Sequence, residues 1–145
     1  PDPVNALLGL GYTLLAENLV AAYEVAGLDP FAGFFHAPHY NRTSLALDLM
    51  EEFRSVIVDS VTLSLFNRCM LTAGDFVPAA GGGVRLTPAG LRVFFRRYTA
   101  RLHTTAFHPQ AGRSLSYQKI FEIQARQMRK VIEGEETSYR PFVTR

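Results

Sequence analysis

The run SLALDLMEEFRSVIVDSVTLSLFN, Ser44 to Asn67, constrains the fold more than any other stretch. Placed on a helix at about 100° per residue, Ser44, Asp48, Glu51, Glu52, Ser55, Asp59 and Thr62 fall within a sector roughly 100° wide. The other positions are mainly Leu, Ala, Met, Phe, Val and Ile, with Arg54 and Arg68 as exceptions. A surface helix shows a broader polar face. This one must be covered on most sides, which requires several further helices around it. The expectation is a mainly-α chain, a single helical-bundle domain with at most one small β-hairpin.

Local signals supply the other helices. Asp2-Pro3 pairs an acidic N-cap with a proline in the first turn, and apolar residues then recur at helical spacing to about Ala26. Gly27 and Pro30 end that helix. Gly9 and Gly11 inside it each cost roughly 1 kcal/mol against alanine, a cost that close packing against a neighbour would explain. Leu28 to Thr43 reads as a connector. Phe76-Val77 and Val84–Leu86 flank AAGGG and suit a hairpin. Thr87-Pro88 starts a helix reaching about His103, Thr104 to Arg113 reads as loop, and Ser114 or Ser116 starts a last helix ending near Glu133-Gly134.

The 145 residues suffice for one domain with a real core, and 48% hydrophobic against 19% charged residues excludes a disordered chain. The net charge of +2 permits a nucleic-acid partner without requiring one. Cys69 is the only cysteine, so no internal disulfide forms, which suits a cytoplasmic setting. Glu17, Asn18 and Glu24 interrupt the most apolar stretch, which argues against a membrane span. The opening PDPVNALL carries no initiator Met and suggests a fragment of a longer protein.

Like charges three or four residues apart on a helix repel by a few tenths of a kcal/mol per pair. The stripe is therefore either a solvated face or a divalent-cation site. Carboxylates together with one imidazole suit Mg²⁺ or Mn²⁺ better than zinc. His36 stands in the connector before the helix, where it can be a ligand or a satisfied core residue. Arg42 and Arg54 flank the acids and could contact phosphate, although Arg54 could equally pair with a local acid. The basic runs Arg92, Arg96, Arg97, Arg101 and Lys119, Arg126, Lys130 read first as solvated faces. AGGGVRLTP lacks the Lys-Ser/Thr ending of a phosphate loop, and neither metal-finger nor nucleophile-elbow spacing occurs.

The blocks DPVNALLGLGYTLL, GLDPFAGFFH, SLALDLMEEFR and GGGVRLTPAGLRVFF, in this order, resemble the CRISPR-associated spacer-acquisition integrase/endonuclease family, in its C-terminal helical catalytic domain. The resemblance implies residues 1–145 as that domain, with the family's N-terminal β-rich domain and first catalytic glutamate lying upstream. It implies a metal, Mg²⁺ or Mn²⁺, held by His36 and Glu51 as the catalytic pair, with Asp48 as a further ligand or an acceptor that orients one. It implies phosphate contacts from Arg42 and Arg54. The implied reaction is transesterification, in which a 3′-hydroxyl of an incoming DNA end attacks a phosphate of the CRISPR array. The implied partners are prespacer and repeat DNA, a second copy of the protein as homodimer, and a dimer of the Cas-two protein. The enzyme is then the full-length protein, and this chain alone is incomplete. The alternative reading is a non-catalytic helical DNA-binding or scaffold module.

Overall fold

The computed structural model describes residues 2–28 and 42–144, with the side chains of 42–47 excepted. Helix α1 (Pro3–Val25) begins where the caps place it: the Asp2 carboxylate accepts the Val4 amide at 2.9 Å, and Pro3 occupies the first turn. At its other end Gly27 takes a φ of 87°, and the Leu28 amide closes back onto the Tyr23 carbonyl at 3.0 Å. By length and composition alone α1 could cross a membrane. Its buried line Leu7, Gly11, Leu15, Leu19 and Ala22 instead packs inward, against the next helix, the segment that follows it and the last helix. Asn18, one of the residues breaking its apolar run, accepts the Tyr98 hydroxyl at 2.6 Å.

The acid-bearing helix is three consecutive pieces: α2 (Arg42–Phe53), a π-helical segment (Arg54–Asp59) and α3 (Ser60–Asn67). The Ser60 amide reaches the Ser55 carbonyl, the wide spacing of a π turn. A uniform α wheel therefore holds only up to Phe53. Beyond it the polar stripe does not continue as one face: Thr62 is buried. The π segment is also where α1 comes closest. A Cβ on Gly11 would lie 2.5 Å from Val58 Cγ1, so Gly11 is small because the Val58 side chain already fills that space. Gly9 has open space and meets no such neighbour.

A 3-10 turn (Ala73–Asp75) leads into the hairpin of β1 (Phe76–Pro78) and β2 (Val84–Leu86), antiparallel with Phe76 opposite Leu86. Helix α4 (Pro88–His103) follows, with the Thr87 hydroxyl accepting the Gly90 amide at 3.1 Å. Where a loop was expected from Thr104 to Arg113, a second hairpin forms. Strands β3 (Thr105–His108) and β4 (Arg113–Ser116) pair with Thr105 opposite Ser116. Among the described residues two hairpins, and not at most one, therefore decorate the bundle. The second was illegible because its inward side rests on Leu115 and a histidine, His108, which is 1% exposed. Polar residues at inward positions hide a strand's alternation. Helix α5 (Tyr117–Ile132) is capped by Ser116, whose hydroxyl accepts the Lys119 amide at 3.2 Å.

The core lies where α1, the π segment, α4 and α5 meet, around Phe53, Phe94 and Phe121, all 1% exposed or less. Each such side chain contributes about 1.5–3 kcal/mol by leaving water. The tail after α5 returns to this core. Phe142 stacks on Phe53 at 5.7 Å and on His108 at 5.7 Å, and meets Tyr117 edge-on.

Candidate metal and nucleic-acid site

The last two turns of α2 carry Asp48, Glu51 and Glu52, and the structure separates their roles. Asp48 and Glu51 are exposed and open, with Ser55, onto a cavity of about 720 Å³. The far wall of that cavity is the returning tail, through Tyr139, Pro141 and Phe142. Glu51 Oε1 lies 3.2 Å from Arg54 Nη2 in a pair whose side chains are 66% and 40% exposed. Such a pair contributes about 0–1 kcal/mol. The Arg54 guanidinium also rests over the Tyr12 ring, 4.9 Å from its centre, and Tyr12 donates to Asp59 Oδ1 at 3.3 Å. Of the two readings of Arg54 in the sequence, pairing with a local acid is what the geometry contains.

Glu52 also lines this cavity, but its carboxylate is half-buried and is the centre of a hydrogen-bond network with the tail and α5. Its Oε2 accepts the Tyr139 hydroxyl at 2.6 Å. Its Oε1 accepts the Phe142 amide at 2.8 Å and Gln124 Nε2 at 3.1 Å. Burial pushes the Glu52 carboxyl above its ordinary range, against the opposing pull of the bonds from Tyr139, Phe142 and Gln124. The Tyr139 phenol is pushed strongly upward, by burial first and then by the carboxylate it serves, so it remains a donor.

The network fixes its own orientation. The Ala111 amide donates to His108 Nδ1 at 3.2 Å, so the ring proton sits on Nε2. That proton goes to Gln124 Oε1 at 2.8 Å, which leaves the Gln124 amide nitrogen facing Glu52, Tyr139 and the Arg140 carbonyl. With no acid near it in the sequence His108 reads as a surface residue, but packing makes it a buried member of this chain of bonds. Gln127 extends it: Oε1 accepts the Arg140 amide and Nε2 donates to Gln110 Oε1 at 2.9 Å. Sequence reasoning missed Glu52, Gln124 and Gln127 as anchors. One signal was present, for Gln124 and Gln127 fall on the otherwise apolar face of α5 with Ile120, Phe121 and Met128. A polar residue there requires a buried partner.

The basic helix α4 is also reassigned in part. Arg101 Nε donates to the Val56 carbonyl at 2.8 Å, and its guanidinium lies 5.1 Å from the centre of the Tyr117 ring. It serves the π segment instead of facing solvent.

His36, expected beside Glu51, lies outside the described residues, as does the side chain of Arg42. Among the described residues no three His, Cys, Asp or Glu side chains converge as a metal set. Asp48 and Glu51 stand three apart on one helix face and offer carboxylate oxygens, the donor type that hard divalent cations take.

A family model described as CRISPR associated protein Cas1 matches residues 1–100. The chain is 47% identical over 144 residues to CRISPR-associated endonuclease Cas1 3 of Thermus thermophilus, covering 99% of this chain and 43% of that protein. A casposase bound to an integration product superposes with a TM-score of 0.79 at 26% identity, over 95% of this chain and 40% of that one. A Cas1 protein from Thermotoga maritima gives 0.78 at 27% identity, over 92% and 41%. The chain therefore spans less than half the length of each of these three proteins. The match over two thirds of its residues, on a helical fold with its acids opening onto a cleft, decides its membership: the chain belongs to the CRISPR-associated Cas1 family.

Proposed function

We propose that this chain is the helical catalytic domain, C-terminal in a longer protein, of a CRISPR spacer integrase and endonuclease. One observation carries the reading: Asp48 and Glu51 open side by side onto a single cavity, in a chain of the Cas1 family. A relative is named an endonuclease, and a structural neighbour is held with an integration product. The full-length protein joins 3′-hydroxyl DNA ends into a CRISPR array, with DNA, a second copy of itself and a Cas-two dimer as partners, in the cytoplasm.

Glu51, His36 and Asp48 would hold Mg²⁺ or Mn²⁺. When bound, the cation supplies positive charge to the reacting phosphate and to the attacking hydroxyl. The chain's own residues do the rest. Arg54 leaves Glu51 for a DNA phosphate, and Arg42, at the start of α2, contacts another. Such contacts position the strand without reading its sequence. The Glu52 network holds the tail as the cavity's far wall, so the helix turn bearing Asp48 and Glu51 has a rigid backing.

Glu51→Ala in the full-length protein should abolish Mg²⁺- or Mn²⁺-dependent strand joining and leave thermal unfolding within about 0.5 kcal/mol of the parent, as for a surface change. Undiminished joining would reject Glu51 as a ligand.

A second reading, a non-catalytic DNA-binding or scaffold module, draws on the exposed Glu51–Arg54 pair, an ordinary solvated i,i+3 contact. It requires that divalent cations shift neither stability nor DNA affinity beyond salt screening. The integrase reading predicts a saturable gain, about 2.7 kcal/mol at a hundred times the dissociation constant, that disappears with His36→Ala.

A further inference from the structure

The buried line of the acid-bearing helix has a spacing that an α-helix cannot keep on one face. Leu49, Phe53, Ile57, Val61 and Leu65 recur every fourth residue, and each is 1% exposed or less. Four residues of α-helix turn about 400°, so each step drifts by about 40° and the whole line by about 160°. The π segment (Arg54–Asp59), wound between the two halves of this line, absorbs the drift, because a π turn takes up one residue more than an α turn. With that residue discounted, Leu49, Phe53, Val61 and Leu65 fall within about 60°. Asp48 and Glu51 on α2 can then open onto their cavity while α3 keeps Val61 and Leu65 in the core.

The wide winding leaves a carbonyl behind. In an α-helix the Ser60 amide would bond the Val56 carbonyl, four residues back. Here it goes to the Ser55 and Ile57 carbonyls on either side. Arg101 of α4 takes the Val56 oxygen instead, its Nε donating at 2.8 Å. An interior carbonyl needs such a donor. The Tyr117 ring holds the guanidinium for this bond, 5.1 Å from its centre, and Tyr117 meets Phe142 of the tail edge-on at 6.4 Å. Ser55 and Val56 themselves line the cavity with Asp48 and Glu51. A second clasp spans the segment. Arg54 and Asp59, its first and last residues, both meet Tyr12 of α1, the one 4.9 Å from the ring centre and the other 3.3 Å from the hydroxyl. Two residues five apart on an α-helix point about 140° away from each other, and the wider winding brings these two to one side.

We propose that Arg101 is a positioning residue for the strand-joining reaction. It acts through the helix and not by touching DNA or cation. By satisfying the Val56 carbonyl it holds the π turn open, and the π turn sets the rotation at which α2 presents Asp48 and Glu51 to the cavity. Without that donor the segment relaxes toward α pairing, Ser60 amide to Val56 carbonyl. A change of one residue in the pairing turns α2 by about 100° relative to α3. The buried Leu49 and Phe53 resist the full turn, so the acids lose their alignment while the bundle stays folded. The proposal deepens the integrase reading and rests on it for what Asp48 and Glu51 hold.

The test uses full-length protein, with Mn²⁺ binding read directly by electron paramagnetic resonance and strand joining followed across Mn²⁺ concentrations. Arg101→Met should raise the Mn²⁺ dissociation constant, and the concentration that half-saturates joining, about tenfold or more, the scale seen when the support behind metal ligands is removed. Joining at saturating Mn²⁺ should fall less, and affinity for single-stranded DNA in EDTA should be unchanged. Hydrogen exchange of the Ser60 amide should change in the same variant, because its acceptor does. Arg101→Lys, a milder change that keeps a donor of similar reach, should lie between the two and carries the test where Arg101→Met unfolds. Tyr98→Phe, which removes a hydrogen bond from the same helix to Asn18, should leave Mn²⁺ binding and Ser60 exchange as they were. Unchanged Mn²⁺ binding in Arg101→Met overturns the proposal. So does an equal loss in Tyr98→Phe, since any loosening of α4 is then enough. A loss of DNA affinity in EDTA that matches the Mn²⁺ loss overturns it too, because Arg101 is then a phosphate contact. The integrase reading fails separately: if the unaltered protein binds no Mn²⁺ saturably, or Glu51→Ala binds and joins like the parent, the acids are not the metal site, whatever Arg101 does to Ser60.

Discussion

Glu51 and Glu52 are consecutive, and one stays in water while the other is anchored by Tyr139, Phe142 and Gln124. All three groups bonded to Glu52 donate, so only an acceptor fits. Glu52→Gln would turn an amide NH₂ toward those donors and should cost about 1–3 kcal/mol by urea unfolding. Hydrogen exchange should then show residues 139–142 opening before the helices. Tyr98 supplies a pH prediction away from the site. Burial first, and the Glu17 carboxylate second, push its phenol far above its ordinary range, and it donates to Asn18 at 2.6 Å. An acid whose folded pKa lies above its unfolded one contributes stability that is fully present below the unfolded value, about 10, and is lost as pH rises beyond it. Stability should therefore fall above about pH 10, with less fall in Tyr98→Phe, whose hydroxyl cannot ionise. Tyrosinate absorbance from Tyr98 should appear only together with unfolding.

Elements were legible in proportion to how local their causes are. Asp2, Thr87 and Ser116 each cap the helix expected of them, because a side chain bonding an amide two or three residues on needs no distant partner. The π segment has no such local cause. It sits where α1 approaches within contact of Val58 and where Arg101 donates to the Val56 carbonyl. The two α1 glycines separate the effects. Gly11→Ala should destabilise by about 1–3 kcal/mol, because the fully buried Val58 cannot withdraw from the new methyl. Gly9→Ala should stabilise by about 0.5–1 kcal/mol through helix propensity alone. Denaturant midpoints of the two variants test both signs, and Gly11→Ala/Val58→Ala should recover part of the loss.

At the scale of the whole molecule the tail ties the bundle together. Phe142, 5% exposed, closes the core over Phe53, while the amide of the same residue bonds Glu52, ninety positions away in the chain. Phe142→Ala should cost about 3–5 kcal/mol in thermal or urea unfolding and release the wall of the acidic cavity. Periodicity and caps alone determined a mainly helical bundle, the positions of its helices and the acid block Asp48–Glu52, since apolar spacing and end chemistry act over a few residues. The tertiary structure decided which acid faces water, that His108 and Gln124 are buried partners, that a second hairpin forms, and that the Glu52 carboxylate anchors the tail. Each of those outcomes depends on residues that are far apart in sequence and meet only when the chain is packed, and helical periodicity carries no information about such meetings.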